Sequence, residues 1–203
     1  MLDRSIASMD ITVVDVETTG LSPDRGDRIC EIGAITYRNS QEIARFHTLV
    51  NPRRPIPPQA SAVNGITAEL VADAPDSAVV LPKLRDFIDG SVLAAYNAPF
   101  DMAFLRTELE LAGQSPLEQP VIDVLWLARR FLPGLDRYSL AAVARVLCVE
   151  HAHAHSALGD VAATGRIFHL LLPHAGLAGL DTVGSLIREQ ALHSLRRKPS
   201  GRP

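Results

Sequence analysis

Cysteine is nearly absent: only Cys30 and Cys148 occur among 203 residues. Two thiols, each inside an apolar segment, point to buried reduced side chains rather than a disulfide framework or a zinc site. Long apolar runs are missing as well. The opening MLDRSIASMD holds too short an apolar stretch for a signal peptide, and no later run approaches the roughly 20 residues of a membrane span. The expected location is therefore cytoplasmic, with no membrane partner. Net positive charge is confined to the C-terminal segment. From residue 186 onward Arg188, Arg196, Arg197, Lys198 and Arg202 oppose only Glu189, so that segment carries +4 and the rest −7 of the net −3. An acidic body is a poor general trap for nucleic acid, because non-specific binding is mainly phosphate neutralisation. A polynucleotide substrate would need metals, local basic residues or a partner to offset it. No internal repeat is visible.

What is present is the balance of a folded protein, 47% hydrophobic and 21% charged, in a chain long enough for one sizeable core with or without a tail. Residues 11–17 (ITVVDVE) are rich in β-branched side chains and read as a strand, followed by a loop through Thr18, Thr19 and Gly20. Residues 28–37 and 42–50 read as two more strands, joined by the polar turn at 38–41 into an antiparallel hairpin. NPRRPIPP, residues 51–58, has too many prolines for either regular element and is expected to be an irregular connection. Apolar residues at 80, 81, 84, 87 and 88 mark a helix over 77–88, with Pro82 counting against it. Residues 92–96 read as a buried strand, and Pro99 opens a helix that stops at Gly113. A short strand at 121–122 follows, then a helix over 124–131 that Asp123 can cap, and further helices over 139–147, 156–172 and 181–195. A leading hairpin and then strands alternating with helices predict an α/β fold, a mixed five-stranded sheet with helices on both faces.

Four acids stand out. Asp15 and Glu17 share one face of the first strand while Val14 and Val16 take the other. Their Cα atoms lie roughly 6.5–7 Å apart, and their repulsion beside a core raises the free energy unless a cation or proton intervenes. The bland alternative is a strand that ends at Asp15, leaving both acids solvated. Asp101 falls in the first turn of its helix, where an acid also meets the positive end of the helix dipole. Asp160 stands early in an apolar helix and alone would be read as a surface residue. Upstream of it, EHAHAHSALGD holds His151, His153 and His155 on alternate positions. Neutral imidazoles on one face of an extended segment can collect a transition metal. The HxHxDH signature of binuclear metallo-hydrolases fails here, because His155 and Ser156 stand where it requires Asp-His.

Taken together, DVETTGL, NAPFD and HSALGD fall in order at a strand end, a strand-to-helix junction and a helix start. This layout resembles the DEDD exonuclease family in its histidine variant, within the ribonuclease H-like superfamily. It looks most like the epsilon-type proofreading subunits of bacterial DNA polymerase III. The resemblance runs from about residue 12 to 172 and includes RICEIGAI, VNGIT, IDVLWLARRFLP and YSLAAVA. It implies a 3′→5′ exonuclease that releases nucleoside 5′-monophosphates using two divalent cations, Mg2+ with Mn2+ as a substitute. Such a pair suits phosphodiester hydrolysis, and four carboxylates would neutralise it. By the same resemblance Asp15 bridges both ions, Glu17 and Asp160 complete the first, and Asp101 serves the second largely through water. His155, five residues before Asp160, is then the general base, a task suited to an imidazole. His151 and His153 are left as exposed loop residues.

The resemblance also implies that Thr18, Thr19, Leu21, Val63, Asn64, Asn97 and Phe100 hold the terminal nucleotide, although Phe100 also fits a core position. Asn64 and Tyr96 depart from the histidine that many relatives carry there. Asp123 fits a helix cap better than a catalyst. The domain expected is an exonuclease unit over 1–175, followed by a C-terminal helix and flexible basic tail over 176–203. The expected partners are nucleic acid with a free 3′ end and a DNA polymerase subunit docked through the C-terminal region. A stand-alone nuclease, an RNA-trimming or oligonucleotide-clearing enzyme, and a non-catalytic end-binding module remain open. QALHSL, residues 190–195, faintly resembles a sliding-clamp-binding peptide, but Leu186, Ile187, Leu192 and Leu195 fit a helix face better.

Overall fold

A computed structural model of the chain describes residues 1–151 and 156–197. The chain opens with β1 (Ile11–Thr18), then β2 (Ile29–Arg38) and β3 (Gln41–Leu49). Asn39 and Ser40 both take positive φ, 51° and 65°, so the expected hairpin closes through a two-residue turn whose twist matches the strands. Because β1 continues to Thr18, Asp15 and Glu17 are strand residues rather than solvated loop acids. The β1–β2 register slips between Glu17 and Thr18, the kind of local bulge that re-aims a strand end.

Two short helices then appear that the sequence did not announce, α1 (Pro58–Asn64) and α2 (Ala68–Val71). The prolines that suggested an irregular path end at position 58, where a missing N–H suits the first helical turn. Gly65, at φ 72°, closes α1. α3 (Ser77–Ile88) keeps Pro82 inside it, and the carbonyl one turn back that would receive its missing bond belongs to exposed Ala78. β4 (Val92–Ala95), α4 (Ala98–Leu111), β5 (Val121–Asp123), α5 (Val124–Phe131) and α6 (Leu140–Val146) follow close to their expected positions. α7 (Ala157–Leu177) runs five residues past the expected end, through Pro173, and α8 (Val183–Arg197) completes the order.

The strands lie in the order β3-β2-β1-β4-β5, with β2 antiparallel to both β3 and β1, and with β1, β4 and β5 parallel to one another. Period-2 alternation on β1 divides the core. Val13 faces a cluster with Ile35, Val124, Val143, Val161 and Phe168, while Val14 and Val16 face Leu81, Leu84, Phe104 and Leu105. Helices α5 to α7 therefore cover one face, and α3 and α4 the other, giving the mixed sheet that the patterning implied. Cys30 is buried as expected, but Cys148 is exposed. It follows α6 at φ 54°, and the Val149 N–H returns to Ala144 O at 2.8 Å, so an apolar stretch here is a helix stop at the surface.

The C-terminal helix is tied to the body at its start and at its middle. Ile6 N–H donates to Asp181 O at 2.9 Å, and Val183 and Leu186 are fully buried. Midway along α8, the Gln190 amide accepts from Asp123 N–H at 2.8 Å and donates to Val121 O at 3.2 Å, standing in for a sixth strand on the β5 edge. That commitment favours the helix reading of residues 190–195 over a free peptide motif, although Leu192 and Leu195 remain exposed.

Candidate metal centre and nucleotide cavity

β1 lifts Asp15 and Glu17 onto the face against which α7 packs, and the first turn of α7 brings Asp160 back to them. One carboxylate oxygen from each of the three lies within 4.8 Å of the others. All three are half-buried, hard oxygen donors with enough charge to hold a divalent cation. Asp101, from the first turn of α4, is buried and accepts the Val16 N–H at 3.1 Å, so it is pinned to β1 beside Asp15 without joining that trio.

The electrostatics fit a site built for cations. Burial, then the charges of Asp101, Asp160 and Glu17, pushes the Asp15 carboxyl well above the usual carboxylate range. Burial and Asp160 lift Glu17 to about 7. Burial also lifts Asp101 to about 8, against the opposing bond from Val16. Anions crowded in this way resist ionising together until a cation arrives.

His155 and His153 lie outside the described residues. His151, expected as an exposed loop residue, instead places Nε2 2.5 Å from Asp160 Oδ1, with its side chain only 10% exposed. Its nine-residue spacing from Asp160 gives no hint of this contact.

Next to Glu17 a cavity of about 540 Å³ is bounded by Thr18, Thr19, Leu21, Val63, Asn64 and Phe100, all anticipated, together with the start of α1. Thr18 and Thr19 are buried, and Leu21, 85% exposed, stands at the rim. The Asn64 amide donates to Thr18 O at 3.3 Å, so this departure from histidine braces the loop after β1. A Cβ at Gly20 would come within 2.4–2.6 Å of the Asp27 carboxylate, so a larger residue would displace that side chain from the Ser22 N–H and Arg54. Asn97 does not line the cavity. It sits at φ 65° before α4, and its backbone N–H is held by Asp123.

Asp123 is a cap for two helices at once. Its Oδ1 accepts from Leu125 N–H at 3.0 Å, Asn97 N–H at 3.1 Å and Ala98 N–H at 3.3 Å, joining the starts of α5 and α4. Asp123→Ala should therefore destabilise the protein by about 2–4 kcal/mol, since several donors lose their acceptor together. Asp123→Asn keeps the oxygen and should cost about 1 kcal/mol or less. Urea unfolding compares them, and identical losses would show that this oxygen does not organise the turn.

With this geometry in view, a family model described as Exonuclease (RNase_T) matches residues 12–168. The chain belongs to that exonuclease family. It is 39% identical over 197 residues to a DNA polymerase III subunit epsilon-like protein of Rhodobacter capsulatus, covering 95% of this chain and 28% of that protein. It is also 39% identical over 165 residues to the DNA polymerase III subunit epsilon of Treponema pallidum, covering 80% of this chain and 76% of the relative. Against a PolC-type DNA polymerase III of Caldanaerobacter subterraneus the chain spans 13% of the relative's length. Among solved structures, Exonuclease X in complex with 5′ overhanging duplex DNA superposes with a TM-score of 0.70 at 26% identity, over 87% of this chain and 99% of that one.

Proposed function

We propose that the chain is a metal-dependent 3′→5′ exonuclease acting on DNA, releasing nucleoside 5′-monophosphates in a proofreading role. The observation that carries this reading is the convergence of Asp15, Glu17 and Asp160 within 4.8 Å beside a nucleotide-sized cavity. The residues fit a pair of divalent cations: Asp15, Glu17 and Asp160 would hold one, and Asp15 with Asp101 the other. Bound there, Mg2+ or Mn2+ would supply Lewis acidity at the scissile phosphate and a nucleophilic water near neutral pH. The chain's own groups do the rest. Thr18, Thr19 and Asn64 seat the terminal nucleotide, Leu21 wedges it from its neighbour, and His155 takes the proton of the attacking water.

The names of the relatives support DNA and a polymerase partner. Residues 1–175 form the catalytic unit on this reading, and α8 closes its open sheet edge. A partner reached through the C-terminal region would meet the outer face of α8, since the inner face is occupied by Val121, Asp123 and the core. No helix among the described residues is long and apolar enough to cross a membrane.

The test is a time course with end-labelled single-stranded DNA, paired DNA with a mismatched 3′ end, and RNA, each with and without Mg2+. We expect stepwise 3′ shortening of both DNAs only with Mg2+. Preferential RNA shortening would make the enzyme an exoribonuclease, and binding without shortening would make it an end-binding module. His155→Ala should lower kcat by about 10²-fold or more while leaving Mn2+ affinity close to that of the wild type. Undiminished turnover would remove it as the base.

A further inference from the structure

A fifth carboxylate stands beside the acidic cluster, and both of its oxygens are already engaged. Glu31 lies on β2 directly opposite Glu17 and is 6% exposed. Its Oε1 meets His47 Nε2 on β3 at 2.6 Å, and its Oε2 accepts the backbone N–H of Ala157 at 3.1 Å, across 126 residues of sequence. Ala157 is the first residue of α7, one turn before Asp160, and the N-cap residue Ser156 makes no side-chain bond to the helix. The task of satisfying the first free donor of α7 thus falls to a side chain of the sheet rather than to the local cap.

A second contact fixes the same turn. Gly33, opposite Asp15 on β2, lies so close to α7 that a Cβ would come 2.7 Å from Ala157 C and 2.9 Å from Leu158 N. The helix start therefore rests on bare strand backbone at Gly33, and Glu31 holds it there by its amide. Negative charge is favoured at this end of a helix, yet next to Glu17 it adds repulsion. A neutral cap at position 156 would have given the stabilisation without that penalty.

We propose that Glu31, steadied by His47, is a positioning residue that sets where α7 delivers the Asp160 carboxylate relative to Asp15 and Glu17. The proposal rests on reading those three acids as a cation site. Glu31 is not one of the three acids whose oxygens gather within 4.8 Å, and its own oxygens are engaged by His47 and Ala157.

The experiment compares wild type, Glu31→Ala, Glu31→Gln and His47→Ala as full chains. Ala157 amide exchange is followed by NMR in EDTA, Mn2+ binding by calorimetry, and kcat and KM on single-stranded DNA with saturating Mg2+. Outer partners of metal ligands typically affect affinity or activity by about 10–100-fold. Glu31→Ala should accelerate Ala157 exchange, weaken Mn2+ binding and lower kcat by about tenfold or more each, with KM within about threefold. Glu31→Gln keeps an acceptor for Ala157 and should recover most of each loss, and His47→Ala should shift all three in the same direction by less. If Glu31→Ala does not fold, the exchange and Mn2+ affinity of His47→Ala carry the test. Unchanged Ala157 exchange, unchanged Mn2+ affinity, or a Glu31→Gln as impaired as Glu31→Ala would each overturn the proposal. Absence of Mg2+-dependent cleavage in the wild type would instead remove the exonuclease reading, whereas exchange and Mn2+ binding judge the positioning role independently.

Discussion

Asp15→Asn should lower Mg2+-dependent 3′-end hydrolysis by about 10³-fold or more, the scale expected when one member of a group acting as a unit is lost, and should stabilise the metal-free protein. The two effects share one cause. Asp15 stands at the centre of the acids, where burial and the charges of Asp101, Asp160, Glu17 and Glu31 all oppose its ionisation. Asparagine has nearly the same shape and leaves the β1 pairing to β2 and β4 intact, so only the charge is removed. Without cations that removal relieves repulsion, by about 1–3 kcal/mol, or some 2–10 °C in Tm for a chain of this size. On the proposed two-cation reading the same charge would serve as a ligand. Thermal unfolding in EDTA at about pH 8, paired with kcat on labelled single-stranded DNA, checks both signs. An Asp15→Asn protein that cleaves within about tenfold of wild type, or that melts several degrees lower in EDTA, would contradict the cluster's role.

The features legible in the sequence were those that period and order encode. Alternation over residues 11–17 placed Asp15 and Glu17 on one face, and the ordered motifs at 15–21, 97–101 and 155–160 picked out Asp160 on α7, which packs on that face, and Asp101 on α4, which meets β1 from the other. Asp123 was recognisable as a cap because it directly precedes an apolar helix, but its bonds to Asn97 and Ala98 depend on β4 and β5 lying side by side. Contacts that exist only after folding left weaker signals. Glu31 sits inside RICEIGAI, a run whose apolar residues mark a strand and whose single acid meets its partner 126 residues later. The wall formed by α1 was hidden by the prolines before it, though Pro58 at the helix start and Gly65 at its end are the signals that could have revealed it. His151 meets Asp160, nine residues further on, in a contact that no residue spacing predicts.

Stability without divalent cations should fall as pH rises from about 5 to about 8, opposite to the usual behaviour of paired carboxylates. Glu17 is lifted from 4.5 to about 7 and Asp101 from 3.8 to about 8, so across this window the folded protein binds more protons than the unfolded chain. Their contribution is fully present below the unfolded values and is lost as pH passes through the folded ones, a change on the order of a few kcal/mol. His169, held below 6.5 by burial, gives the opposite slope over the lower part of the window and tempers the decline. Saturating Mg2+ or Mn2+ should cancel the loss, because cations bind the carboxylates that protons have vacated. The rise in Tm on adding Mg2+ should therefore be several degrees larger near pH 8 than near pH 5. That difference isolates the cluster, since His169 contributes equally with and without the metal. Asp15→Asn supplies the decisive comparison: with one charge gone, the decline in EDTA should flatten and the Mg2+ effect should shrink together. A Tm rise that is the same at both pH values, or that survives intact in Asp15→Asn, would mean that the cation binds elsewhere on the acidic surface.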